Sequence, residues 1–133
     1  MKAQLDENLP PALARALNEL VAVDEHRVVH VTDYAKGAPD EELFERAIAD
    51  GVQVHITHDH HHRRPVEREA IARLGLTVFV LAKGWNGFSH YEKAARLIEY
   101  WTPIATAAQL VKSGAIFRVP ARRNGQLEQI RKR

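Results

Sequence analysis

Val52-Gln53-Val54-His55-Ile56-Thr57-His58-Asp59 places β-branched apolar residues at alternate positions against polar partners, the two-residue period of a strand with one face in a core. Gly51 before it is a helix stop, and Asp59 stands at its C-terminal end. Upstream, the acidic turn Asp40-Glu41-Glu42 suits the positive end of a helix dipole, and Leu43, Phe44, Ala47 and Ile48 supply that helix's apolar face. Earlier still, Val28, Val29 and Val31 form a β-branched strand closing at Thr32 and Asp33. Pro10 and Pro11 open a first helix whose stripe is Leu13, Leu17, Leu20 and Val21, ending near Val23. A short strand over residues 2–6 precedes it. Downstream, Pro65 opens a helix with Val66, Ala70 and Leu74 inward and Gly75 as its stop; residues 76–81 are a continuously apolar strand. Ser89 and Glu92 form a capping box that starts a fourth helix, with Tyr91, Ala94, Ala95, Ile98 and Trp101 as its stripe. Pro103 is expected to interrupt it, a shorter piece running to Lys112, and residues 116–119 read as a last, edge strand.

Strands alternating with helices predict a mostly parallel sheet of four to five strands with helices on both faces, because right-handed crossovers require that layout. A strand order of 2-1-3-4 would set the switch point between the first and third strands, which end in Asp6 and Asp59. Ligands of such sheets bind beyond the C-terminal strand ends. One domain is expected over residues 1–120, with residues 121–133 a basic, mobile tail.

At 133 residues the chain has the size of one core, and its lack of cysteine excludes thiolate zinc sites and cysteine nucleophiles. The N-terminus is neither basic nor followed by an apolar segment, and no apolar run approaches the ~20 residues of a membrane span, so a cytoplasmic protein is expected. Charge is polarised: residues 1–50 hold 11 acidic and 5 basic residues, residues 51–133 hold 6 and 14. That asymmetry is compatible with an acidic metal pocket beside a basic surface that receives a polyanion.

If Asp6, Asp40 and Asp59 meet within about 5 Å, each pair repels by roughly 3 kcal/mol at an effective dielectric near 20. The sum is comparable with the stability of a whole domain, so a cation, raised pKa values or neighbouring bases must offset it. Hard carboxylate oxygens suit Mg²⁺ or Mn²⁺.

Three motifs, Leu5-Asp6-Glu7-Asn8-Leu9-Pro10, Gly37-Ala38-Pro39-Asp40-Glu41-Glu42-Leu43 and Ile56-Thr57-His58-Asp59, together resemble the compact PIN-like domains related to VapC-type toxins. Trp101-Thr102-Pro103 and Ile116-Phe117-Arg118-Val119-Pro120 look like the C-terminal part of such proteins. The resemblance implies a Rossmann-like three-layer fold. It also implies Mg²⁺- or Mn²⁺-dependent RNA hydrolysis with Asp6, Asp40 and Asp59 as catalytic metal ligands, in the toxin of a toxin–antitoxin pair. RNA, a cognate antitoxin and a second copy of the chain in a homodimer are the partners it suggests, with no membrane. Two departures stand out: His61 occupies a place where the family often has an acid, and the larger PIN domains' helical glutamate has no clear counterpart.

Auxiliary roles fall to Asn8, Glu41, Thr57, His58 and His61, and phosphate binding to Arg63 and Arg64. Trp85 and Phe88 read as core rather than as base-stacking aromatics, and Asp33 as structural. The rival reading is a degenerate PIN-like module that binds RNA or protein without cutting.

Overall fold

A computed structural model of the chain describes residues 1–33, 39–59 and 64–130; the side chain of Asp40 also lies outside the described part. Strand β1 (Lys2–Leu5) leads to helix α1 (Pro11–Val21), β2 (Arg27–His30) to α2 (Asp40–Ala49), β3 (Val54–Thr57) to α3 (Pro65–Leu74), and β4 (Thr77–Leu81) to the long α4 (His90–Leu110). Two further strands, β5 (Ile116–Val119) and β6 (Glu128–Ile130), complete the chain. Single 3₁₀ turns follow α1, β2 and β4. Gly51 and Gly75, the expected helix stops, take φ of +84° and +77°, the left-handed region that ends a helix without a Cβ penalty.

The sheet order is β2-β1-β3-β4-β5-β6, parallel throughout except for the antiparallel β5–β6 pair. The expected 2-1-3-4 order is thus present, within six strands rather than four or five. On one face Ala3, Leu5, Val54, Ile56, Phe79 and Leu81 pack with Leu13 and Leu17 of α1 and with Leu97, Trp101 and Ile104 of α4. On the other, Val78, Val80 and Ile116 pack with Phe44 and Ala47 of α2 and with Ala70 and Ile71 of α3. The result is three layers, α/β/α.

Several expectations need correction. Residues 116–119 do not form the edge of the sheet, and the domain does not stop at residue 120. Glu128–Ile130 pairs with β5, where Arg118 and Glu128 form an ion pair at 2.9 Å. The turn between them is held by the Tyr100 hydroxyl, which donates to the Arg122 carbonyl and accepts from Gly125 N–H. Residues 131–133 lie outside the described part. Helix α4 passes through Pro103 without a break. Proline forfeits one backbone bond there, but Trp101, Ile104 and Ala105 on either side are buried and hold the helix together. Leu20, Val66, Tyr91 and Ile98 are exposed rather than inward. The buried line of α4 runs Leu97, Tyr100, Trp101, Ile104 and Ala105, so Ile98 is rotated some ~100° from it about the helix axis.

Trp85 is fully buried beneath β5, as expected of a core residue, and its indole N–H donates to the carbonyls of Val119 and Pro120 at 3.2 and 3.0 Å. Phe88 is partly buried against the same core, with the Arg96 guanidinium 4.9 Å from its ring centroid. Trp85 therefore joins the loop after β4 to the end of β5. Trp85→Ala is expected to reduce the unfolding free energy by about 3–5 kcal/mol, as large buried aromatics do on truncation. Urea denaturation followed by circular dichroism measures it.

Candidate functional site

Because β1 and β3 are parallel neighbours with Leu5 opposite Ile56, the residues that follow them, Asp6 and Thr57, emerge side by side. The Asp6 backbone N–H still donates to the Ile56 carbonyl at 3.0 Å, which carries the pairing one residue past the strand. Asp6 is 5% exposed. Its Oδ1 accepts from Glu7 N–H at 2.9 Å, and its Oδ2 from the Thr57 hydroxyl at 2.6 Å and the Asn8 amide at 3.3 Å.

Thr57 is the hub of this group. While its hydroxyl hydrogen goes to Asp6, its oxygen accepts from Asn8 Nδ2 at 3.2 Å and from Asp59 N–H at 2.8 Å, which fills the capacity of a hydroxyl. Asn8 Oδ1 accepts from His58 N–H at 3.3 Å, tying the turn after β1 to the turn after β3. One hydroxyl and one amide thus bring Asp6, Asn8, Thr57, His58 and Asp59 into a single cluster at the sheet's switch point.

The other expected residues are placed differently. Asp59 is paired with Arg64, whose guanidinium donates to both carboxylate oxygens at 3.2 and 3.3 Å and also to Glu67. Arg64 was expected to hold phosphate; its guanidinium here serves carboxylates. Glu41, expected to assist, is bound instead to Arg73 in the last turn of α3 at 2.8 Å. Asp40 begins α2 as expected, but its side chain, like the whole of His60, His61, His62 and Arg63, lies outside the described residues. Asp33, set aside as structural, accepts from His30 N–H at 3.0 Å and so closes the end of β2.

Among the described residues no three His, Asp or Glu side chains are close enough together to share a metal ion. The oxygens at hand are the carboxylates of Asp6, bonded to the Thr57 hydroxyl, and of Asp59, whose backbone N–H is bonded to the same hydroxyl. These are hard donors, and with no thiolate available they fit a partly hydrated cation such as Mg²⁺ or Mn²⁺ better than a soft one.

Two residues escaped the sequence reading. His55 is 1% exposed, with Nε2 3.7 Å from Asp6 Oδ2 and Nδ1 2.8 Å from Gln4 Nε2. It lies on the polar side of an alternating strand, and α2 covers that face: Phe44 meets the imidazole edge-on with centroids 5.2 Å apart. Lys93 lies in the first turns of α4, near enough to His58 to disfavour its protonated form, and makes no ion pair among the described residues. A clue was available, since the capping box fixes the helix start and a lysine one turn later opposes the helix dipole.

Both ring nitrogens of His58 are buried without a hydrogen-bond partner among the described residues. Desolvation, and then the Lys93 charge, lower its pKa, against an opposing pull from Asp6. The unfolded chain therefore takes up a proton near pH 6.5 that the folded chain resists, and stability falls as pH drops below about 6.5. His58→Gln should flatten the decline in melting temperature between about pH 7 and 5, read by thermal denaturation across that range. Thr57→Val, which leaves Asp6, Asn8 and the Asp59 amide without their shared partner, should cost about 1–3 kcal/mol in urea denaturation, with Thr57→Ser restoring much of it.

A family model described as a PIN like domain matches residues 1–83, a stretch that runs from β1 through β4 and includes Asp6, Asn8, Asp40, Thr57 and Asp59. No curated protein and no solved structure matches the chain. PIN domains are in general nuclease modules, hence hydrolases. With well over half its length matched and a mostly parallel three-layer sheet around that stretch, the chain belongs to the PIN-like domain family.

Proposed function

We propose that this protein is a metal-dependent endoribonuclease of PIN-like type, the toxin of a toxin–antitoxin pair, acting in the cytoplasm on single-stranded or structured RNA. The observation that carries the reading is the Thr57 hydroxyl, which binds Asp6 and the amide of Asp59 together at the switch point. The toxin assignment is supported by the resemblance of the motifs around Asp6, Asp40 and Asp59 to VapC-type proteins. Among the described residues no helix is long and apolar enough to cross a membrane.

Asp6, Asp59 and Asp40 would hold Mg²⁺ or Mn²⁺. When bound, the ion supplies Lewis-acid polarisation of a phosphodiester and a more acidic attacking water. The chain's own part is to hold the carboxylates in place. Thr57 and Glu7 N–H lock the Asp6 oxygens, and Asn8 braces the two turns against each other. Lys93, in the first turns of α4, puts a positive charge beside His58, where an approaching phosphodiester anion requires one. In-line attack by water would leave a 5′-phosphate and a 3′-hydroxyl.

One observation favours a second reading. Arg64 already offsets the charge of Asp59, and no three-acid cluster occurs among the described residues, so a module that binds RNA or a partner protein without cutting is its rival. A panel of labelled RNAs incubated with Mn²⁺ decides between them. Wild-type protein should cleave, and Asp6→Asn should slow cleavage by about 100- to 1,000-fold, the usual effect of losing one key electrostatic contact in a transition state. Undiminished cleavage by Asp6→Asn overturns the mechanism, and metal-independent binding with no cleavage by the wild type selects the rival.

A further inference from the structure

The core between the sheet and helices α2 and α3 is built mostly of aliphatic residues, Val78, Val80, Ile71 and Leu76 among them, yet a line of polar side chains runs through it. Gln4, His55 and Thr57 are 0%, 1% and 0% exposed, and the line ends at Asp6. Burying such groups is costly unless they are bonded, and here the bonding is incomplete: Gln4 Oε1 is buried with no hydrogen-bond partner among the described residues. Aliphatic residues would fill the same space without that penalty. The arrangement therefore calls for a reason other than packing.

Its geometry supplies one. Gln4 and His55 are register partners in the β1–β3 ladder, so their side chains leave the sheet on the same side. The Gln4 amide donates to His55 Nδ1 at 2.8 Å, and an Nδ1 that accepts leaves the neutral ring its hydrogen on Nε2. Nε2 is the atom that faces Asp6 Oδ2, at 3.7 Å. Phe44, edge-on against the ring, limits its rotation. Asp6 Oδ2 thus lies between a hydroxyl that bonds to it and the ring nitrogen Nε2 at 3.7 Å, in a site from which water is largely excluded and where such dipoles act strongly.

We propose that His55, its tautomer set by Gln4, is a positioning residue that orients the Asp6 carboxylate for a divalent cation. The proposal rests on the reading of Asp6 as a metal ligand given above. His55 itself touches neither metal nor RNA; it acts through Asp6, and Gln4 acts through His55. Partners of this kind, which orient a ligand from behind, typically contribute about 10- to 100-fold to metal affinity.

The test measures Mn²⁺ binding to the full chain without RNA, by titration calorimetry and by the electron paramagnetic resonance signal of free Mn²⁺. His55→Leu should weaken binding by about 10-fold or more. His55→Gln, whose terminal amide can present an N–H where Nε2 was, should recover most of the loss. Gln4→Leu, which leaves the ring but frees its tautomer, should fall between wild type and His55→Leu. In RNA cleavage the same variants should lower kcat with little change in KM. Wild-type Mn²⁺ affinity in both His55→Leu and Gln4→Leu overturns the proposal, and so does a His55→Gln variant as weak as His55→Leu. If His55→Leu does not fold, as judged by circular dichroism, Gln4→Leu alone decides. Asp6→Asn is the control. Loss of Mn²⁺ binding there while His55→Leu binds normally defeats only the role of His55, whereas unchanged binding in Asp6→Asn defeats the ligand assignment on which it depends.

Discussion

The hydrogen bond from the Thr57 hydroxyl to Asp6 Oδ2, 2.6 Å long, crosses the junction of β1 and β3 and holds together what the rest of the candidate site is built on. It exists because two strands distant in sequence are made neighbours by the parallel crossovers, in a register that sets Leu5 against Ile56. Side chains alternate faces along a strand, so a slip of one residue would turn Thr57 towards α1 and α4 and leave Asp6 alone. The same hydroxyl accepts from Asn8 and from the Asp59 amide, so the turns after both strands are shaped around one oxygen. Backbone order and the arrangement of acids are therefore a single constraint.

Charge is managed locally. The two acids are held differently: Arg64 grips Asp59 in two hydrogen bonds, whereas Asp6 is held by the Thr57 hydroxyl, the Asn8 amide and Glu7 N–H. Metal binding at this site would have to compete with, or rearrange, the Arg64 pair. Exposure distinguishes the two acids. The Asp59 and Arg64 side chains are substantially solvated, so that pair is weakly held, whereas Asp6 is enclosed. Asp6 is the fixed carboxylate in this arrangement and Asp59 the adaptable one.

The part of the chain beyond the matched residues 1–83 has its own structural task. Helix α4 covers the face shared with α1, and β5 and β6 extend the sheet on the far side of β4. Trp85 fastens that extension to the loop after β4 through two carbonyls of residues 119 and 120. Tyr100 ties α4 to the turn before β6. This scaffold also carries Lys93 to the side of His58, so the later segment contributes charge to a site whose acids all come from the earlier one.

Local signals in the sequence were enough for the alternation of strands and helices, the glycine stops, the capping box at Ser89 and Glu92, and the delivery of Asp6 and Asp59 to strand ends. Those features depend on period, on φ restrictions and on short-range hydrogen bonds, all of which act within a few residues. The strand order followed too, once right-handed crossovers were assumed. Tertiary structure alone decided the rest. Pro103 remains inside α4 because buried neighbours outweigh one lost backbone bond, and β6 forms because β5 offers it an edge. Glu41 is drawn away to Arg73 by a helix that sequence proximity to Asp40 does not reveal. Alternation along β3 reports only that its two faces differ; it says nothing of which side chains cover each one. Burial of His55 beside Asp6 is a property of how α2 packs on the sheet, a long-range choice that no short window of residues encodes.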